Sequence, residues 1–456
     1  MAETLDVVQK RWKIKWWHIL TIIILALVAA FIIFRLRLHS ELLARIEAVR
    51  AEGYPVTLKE LDDSYSIPPD AENAANTLLA AFSLLHKWDD VFLEDMPLAG
   101  RGELPPCSEP LSETAKTLIG SYLADNNEAL ALLHKGARIN CCRYPIDLKA
   151  GFSILLPHLS QIRTAAILLD LEAVLHSENG QSVSACSSIE AMLGLARSLS
   201  KEPLVISQLA RIGCIDRPLL PLERVVSRTN FSDAQLAVFI KALNQAENSE
   251  ALSRALAAEQ CIVINIIRKS GAGEIERTFG PEAPPLPLLA IYQATGLAEK
   301  DAVTYLDRVQ KYMDIMKLPV HDRIKAAQAV QRQPLPRSKI RVFFHFFVSD
   351  WADILTLHLR YIAHLRVAQA ALAVQRYRLA RSGLPENISD IVPAYLPEVP
   401  IDPFDGQNIR YRKTAGGFVV YSIGDDGSDD GGREKPKARN TVPSGTTYDI
   451  TFFVEK

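Results

Sequence analysis

The feature that most constrains this chain is residues 16–34 (WWHILTIIILALVAAFIIF), 19 consecutive positions without a formal charge. As a helix they extend roughly 28 Å at 1.5 Å per residue, close to the bilayer hydrocarbon thickness of about 30 Å. Trp12, Trp16 and Trp17 gather at the N-terminal edge, where an interfacial aromatic belt lies. Arg35 and Arg37 follow directly and no small-residue cleavage pattern appears, so an uncleaved signal anchor over 16–36 is expected. Lys10, Arg11, Lys13 and Lys15 precede the span, and Arg35, Arg37, Arg45 and Arg50 follow it, so charge alone does not orient it. Long domains translocate largely regardless of charge, whereas a short basic tail is retained. Residues 1–15 are therefore expected in the cytoplasm and the body outside it.

The rest is a globular composition. Over 456 residues, 51 Lys and Arg nearly balance 53 Asp and Glu, a formal charge of −2. That excludes a protein working through bulk positive charge, so no nucleic-acid partner is expected. With 48% hydrophobic and 23% charged residues, wholesale disorder is excluded as well. Ala and Leu abound while aromatics are only 7%, which favours helix. Six cysteines are too sparse for a disulfide scaffold.

The expected fold is mainly α: an N-terminal transmembrane helix, an irregular helical array, and a small C-terminal α+β unit with a short antiparallel sheet. Residues 37–110 should hold a polar stalk (38–50) and the first helices. Thr57 and Glu60 form a capping-box pattern, and Asp70 is placed to cap the apolar run at 72–85. Residues 94–110 are Pro- and Gly-rich and read as a loop. The helical body at 111–348 begins at Ser112, with another helix opening at Asn126 or Asn127. It continues with helices over 151–178 and 183–200 broken at Gly180, and with a capping box at Ser232 and Gln235. No fixed repeat period is present. Residues 271–292 form a Pro-rich crossing, helices resume near Ala298, and 333–337 interrupts them. The aromatic run at 343–347 reads as core packing, with a membrane-surface contact as the alternative. The last region, 349–456, opens with a long helix to about residue 382. After Gly383, five prolines exclude another long helix, and strands are expected at 409–413, 418–422 and 448–454.

The tail carries a sequence of motifs: YRLARSGLP at 377–385, DPFDG at 402–406, Arg410-Tyr411, VVYSIGDDGSDDGG at 419–432, and Asp449-Ile450. In this order, over roughly 365–456, it resembles the C-terminal globular part of the major pseudopilin of type II secretion systems. The whole layout resembles membrane-anchored bacterial envelope proteins carrying such a tail. The resemblance implies a long helix leading into a small sheet, and a loop holding calcium. Asp426, Asp449 and the backbone carbonyl of Ile423 would be ligands. It also implies a single-pass protein of the bacterial inner membrane, whose partners are the lipid bilayer and envelope proteins. No prepilin junction precedes the apolar span, and some 300 residues separate it from the tail, unlike a filament subunit.

The residues themselves agree in kind. Asp425, Asp426, Asp429 and Asp430 fall within six positions, among glycines that permit tight turns. Such carboxylates repel unless solvated or neutralised by a hard cation such as calcium. Asp426-x-Ser428-x-Asp430-Gly431 matches the start of an EF-hand loop and adds Asp430 to the candidate ligands. Lys437 stands where the bidentate glutamate belongs, so an EF-hand is rejected. The alternative is a solvated acidic hairpin tip.

Catalytic motifs are absent: no HExxH, nucleophile elbow, phosphate loop or dinucleotide fingerprint occurs. Histidines are scattered (His86, His134, His158, His176, His321, His345, His358, His364), and the vicinal Cys141-Cys142 has no zinc spacing to the nearest, His134. Cys186, Cys214 and Cys261 allow a disulfide in some pairing if the body is extracytoplasmic. Glu259, and Asp170 with Glu172, are acids in apolar helical stretches where acid/base chemistry or an arginine partner would be found. The expected function is an envelope scaffold or interaction protein. The alternative is an envelope enzyme whose site gathers dispersed acids and histidines, for which Glu259 beside a histidine would speak.

Overall fold

The computed structural model describes residues 16–86, 96–100, 102, 104–107, 109–248, 250–269, 285–333, 351–434 and 447–455. The aromatic run at 343–347 and most of the crossing at 271–292 lie outside them. Within the described residues the protein is mainly helical, with one small sheet near the C-terminus.

The first helix, α1 (Trp16–Ala51), runs 36 residues without a break. Its apolar half is wholly exposed, with a mean hydropathy of 2.9 over the most apolar 18-residue window, so this helix is long and apolar enough to cross a membrane. The second half is not a free stalk. Leu38, Leu42, Ile46 and Val49 recur at helical spacing and are buried. They pack on α12 (Leu297–Met316), which runs alongside in the same direction. Arg35 meets Glu299 at 2.7 Å, Arg45 meets Asp307 at 2.6 Å, and Lys317 meets Glu52 at 3.1 Å. The body therefore begins within a turn of the apolar span.

Short helices follow: α2 (Leu58–Ser64), α3 (Ala74–Ser83), α4 (Glu113–Asp125) and α5 (Asn127–Ala137). Thr57 caps α2 by accepting the Glu60 amide, while Glu60 reaches back to the amide of Val56, one residue before the position a capping box requires. Asn73, not Asp70, caps α3, because its carboxamide accepts the Ala75 amide while its other end reaches the carbonyl of Arg143. Ser112 caps α4 as expected. Asn126 precedes α5 without capping it; its side chain is bonded to the backbone of His86 instead.

The central layer is α6 (Pro157–Glu178), α7 (Ser182–Ser198), α8 (Val205–Arg228), α9 (Asp233–Ala246) and α10 (Glu250–Lys269). The helix expected from residue 151 starts later, because Gly151 takes φ 59° and Pro157 occupies the first turn. Gly180 breaks the chain between α6 and α7 with φ 70°. The capping box at Ser232 and Gln235 is complete. After α11 (Leu286–Ala294), α12 and α13 (Val320–Gln331) comes α14 (Trp351–Arg381), whose middle is buried on all sides among α8, α9 and α13.

Strands β1 (Arg410–Thr414), β2 (Gly417–Ser422) and β3 (Ile450–Glu455) form an antiparallel sheet in the order β1-β2-β3, with Tyr411 opposite Val420 and Phe418 opposite Val454. Phe418, Val420, Phe452 and Val454 are buried, and α14 packs against β2 and β3. The outer edge of β3 meets α8: Glu223 accepts the Phe453 amide and Ser227 the Glu455 amide. An edge strand left unpaired invites association, and these side chains cover it. The tail is thus fused to the body through α14 and β3. None of the six cysteines is joined in a disulfide, so the pairing considered for Cys186, Cys214 and Cys261 does not occur; each is buried in the apolar core.

Candidate functional sites

The Asp-rich loop joins β2 to β3. Gly424, Gly427, Gly431 and Gly432 all take positive φ there, conformations that a side chain would strain. Asp449 pins the loop, since its carboxylate accepts the amides of Asp430 at 3.3 Å and Gly432 at 2.6 Å. Burial, only partly offset by these amides, holds Asp449 above the usual carboxylate range. Asp426 is exposed and bends back to the Ser428 amide, 2.9 Å away. Asp430 is half-buried, and its Oδ2 has no hydrogen-bond partner among the described residues. The Ile423 amide donates to buried Asp402.

Arginines answer much of the repulsion expected among these carboxylates. Arg360 of α14 holds Asp425 through two bonds of 2.7 Å, and Arg410 contacts Asp402, Asp405 and Asp429 together. Among the described residues no group of three or more His, Cys, Asp or Glu side chains converges as a metal cage. Asp430 and Asp449 are brought together by the fold. Asp426 is turned to its own loop.

A second site was not anticipated. The C-terminal end of α5, α7, the start of α8 and the end of α9 enclose a cavity of about 410 Å³. It is lined by His134, Arg138, Ser187, Glu190, Arg197 and Arg211, with Asn140, Gln245 and Asn248 beside them. Arg197 donates to the Ala137 carbonyl at the end of α5, and Arg211 to the Ala246 carbonyl at the end of α9. Such carbonyls lack intrahelical partners and attract cations, which explains how two arginines are held in an apolar setting. Arg211 also lies over the Tyr361 ring, 5.7 Å from its centroid.

On the cavity wall His134 Nε2 lies 2.8 Å from Glu172 and its Nδ1 3.3 Å from the Ser187 hydroxyl. Burial pushes the Glu172 carboxyl up. The hydrogen bond and charge of His134, with Ser188 and His176, outweigh that and hold it below its ordinary value. Ser, His and Glu in series are the members of a nucleophile–base–orienter relay. Ser187, however, sits beyond the first turn of α7, where its amide and the next are committed to helix bonds and offer no backbone oxyanion hole. The arrangement therefore suits holding a ligand better than transferring an acyl group.

The other acids singled out have structural partners. Glu259 accepts the Val205 amide at the start of α8 and lies near Tyr305, with burial raising its carboxyl. The buried carboxylate–histidine pair is instead His158 with Glu202, 3.0 Å apart, with Tyr144 stacked on the imidazole. His358, beside Tyr361, is pushed down to about 3 by burial and by the charges of Arg211 and Arg323, so it is neutral at physiological pH.

Compared with known proteins, the chain matches no family model, no curated protein and no solved structure.

Proposed function

We propose that the chain is a single-pass, membrane-tethered scaffold of the bacterial cell envelope, with its helical body on the extracytoplasmic side of the inner membrane. The observation that carries this reading is α1: one uninterrupted helix is lipid-compatible in its first half and locked to α12 in its second. A body so joined cannot swing far from the bilayer, which suits a platform that holds partners at the membrane. Helix α11 supports the same placement. It precedes α12 at the end where Arg35 abuts Gly296, and it exposes Leu286, Leu288 and Ile291. Apolar side chains at that level are accommodated by the headgroup region.

The test is protease protection in native membranes followed by alkaline extraction. The chain should stay in the membrane pellet. Its body should be cleaved from the periplasmic side and protected in inverted vesicles. Release by alkali, or the opposite protection pattern, removes the proposal.

The pseudopilin-like tail belongs to the same proposal, as the region where secretion or pilus-like partners dock. Asp430 and Asp449, with Asp426 and the Ile423 carbonyl, would hold calcium, which supplies charge neutralisation to a loop rich in carboxylates. The unpartnered Asp430 Oδ2 supports this fit. Calorimetric titration of the detergent-solubilised chain should show saturable calcium binding and a higher melting temperature. Both should be lost in Asp430→Asn, Asp449→Asn. An unchanged melting curve would leave the loop held by Asp449, Arg360 and Arg410 without an ion.

A further inference from the structure

We propose that the 410 Å³ cavity between α5, α7, α8 and α9 binds a small soluble oxyanion, the phosphate or carboxylate end of a low-molecular-weight ligand. Its volume lies at the lower end of the range for small-molecule pockets, about 300–1,000 Å³. The argument rests on charge. Three arginines line the cavity, of which Arg138 is exposed, whereas among the described lining residues the sole carboxylate is Glu190, exposed as well.

Arg211 is only 3% exposed, yet no Asp or Glu of the described residues lies in ion-pair contact with it. Its hydrogen bonds run to neutral groups: the Ala246 carbonyl, the Tyr361 hydroxyl and Gln208. Among the described residues half-buried Arg197 bonds only to the Ala137 carbonyl, and the Nε of each arginine lacks a hydrogen-bond partner. Burying a guanidinium without a counter-charge is costly, and buried Arg224 is met by Glu178 at 2.7 Å. Helix-end carbonyls supply partial negative charge, which keeps the two arginines in place without neutralising them. A neutral ligand would leave this field unanswered. A phosphate or carboxylate would meet it with the bidentate geometry that guanidinium favours. His134, oriented by Glu172, and Ser187 add hydrogen-bonding groups on the same wall.

Calorimetry and thermal melting of the detergent-solubilised whole chain, titrated with inorganic phosphate and with citrate against chloride at equal ionic strength, provide the test. One equivalent of phosphate or citrate should bind and raise the melting temperature. Preference between the two assigns the ligand's anionic group. Because Arg211→Gln risks misfolding, the discriminating variant is Arg138→Gln, Arg197→Gln, which should weaken binding at least tenfold while melting normally in chloride. Lys300→Gln, an exposed change on α12, should bind as wild type. No saturable binding of either anion, or equal binding by the double arginine variant, overturns the proposal.

Discussion

Replacing Arg224 by Met should destabilise the body by about 3–5 kcal/mol, the cost of breaking a buried ion pair from one side. Arg224 is 1% exposed and the Glu178 side chain is fully buried. The guanidinium donates to Glu178 at 2.7 and 3.0 Å, and to the carbonyls of Pro105, Pro106 and Glu109. Glu178 in turn accepts the Leu111 amide. One ion pair therefore joins the end of α6, the C-terminal part of α8 and the Pro-rich loop. Methionine fills similar space but leaves the carboxylate with Arg228 and strips three carbonyls of their donor. Urea denaturation of the solubilised chain should show the loss. Adding Glu178→Gln should recover part of it, because the uncompensated charge is gone. A single-variant cost below about 1 kcal/mol would show that the loop, α6 and α8 do not depend on this pair.

The second large effect is a contrast between two glycines. At Gly194 on α7, an added Cβ would stand 2.3 Å from the Ala137 carbonyl oxygen and 2.8 Å from its Cβ. Helices α5 and α7 cross there backbone to backbone, so neither neighbour is the far end of a flexible side chain. Gly194→Ala should cost about 2–3 kcal/mol by forcing the helices apart. It should also abolish anion binding, since Ala137, Ala191 and Leu193 line the same cavity. At Gly120 on α4 the nearest atom is Leu175 Cδ2 at 4.0 Å. There the same substitution should stabilise by about 0.5–1 kcal/mol, through helix propensity and a less flexible unfolded chain. Denaturation midpoints that move in the same direction for both would contradict the close crossing.

Much of the architecture was legible because its signals are local. The apolar span at 16–34, the caps at Ser112 and Ser232, the break at Gly180 and the turn between β1 and β2 are each written within a few residues. The structure shows them where expected. The errors also have local causes. Asp70 and Asn73 are both competent caps, and only the reach of Asn73 to Arg143, 70 residues on, separated them. The stalk looked free because its apolar stripe is narrow, and its partner α12 lies more than 250 positions away. The acidic loop looked like a charge problem awaiting an ion, because Arg360 is 65 positions from Asp425 in sequence.

The cationic cavity went unread for the same reason, although a trace was present. Arg211 stands in the stretch VISQLARIGC, a lone cation in a mostly apolar run, and such a residue marks either a buried ion pair or a site. What the sequence determined by itself is the long apolar N-terminal helix, the helical class and the terminal sheet, since hydropathy and turn chemistry act over a few residues. Which charges are neutralised and which are left facing a cavity was decided by tertiary structure alone, because Coulomb interaction depends on distance in space and not on separation along the chain.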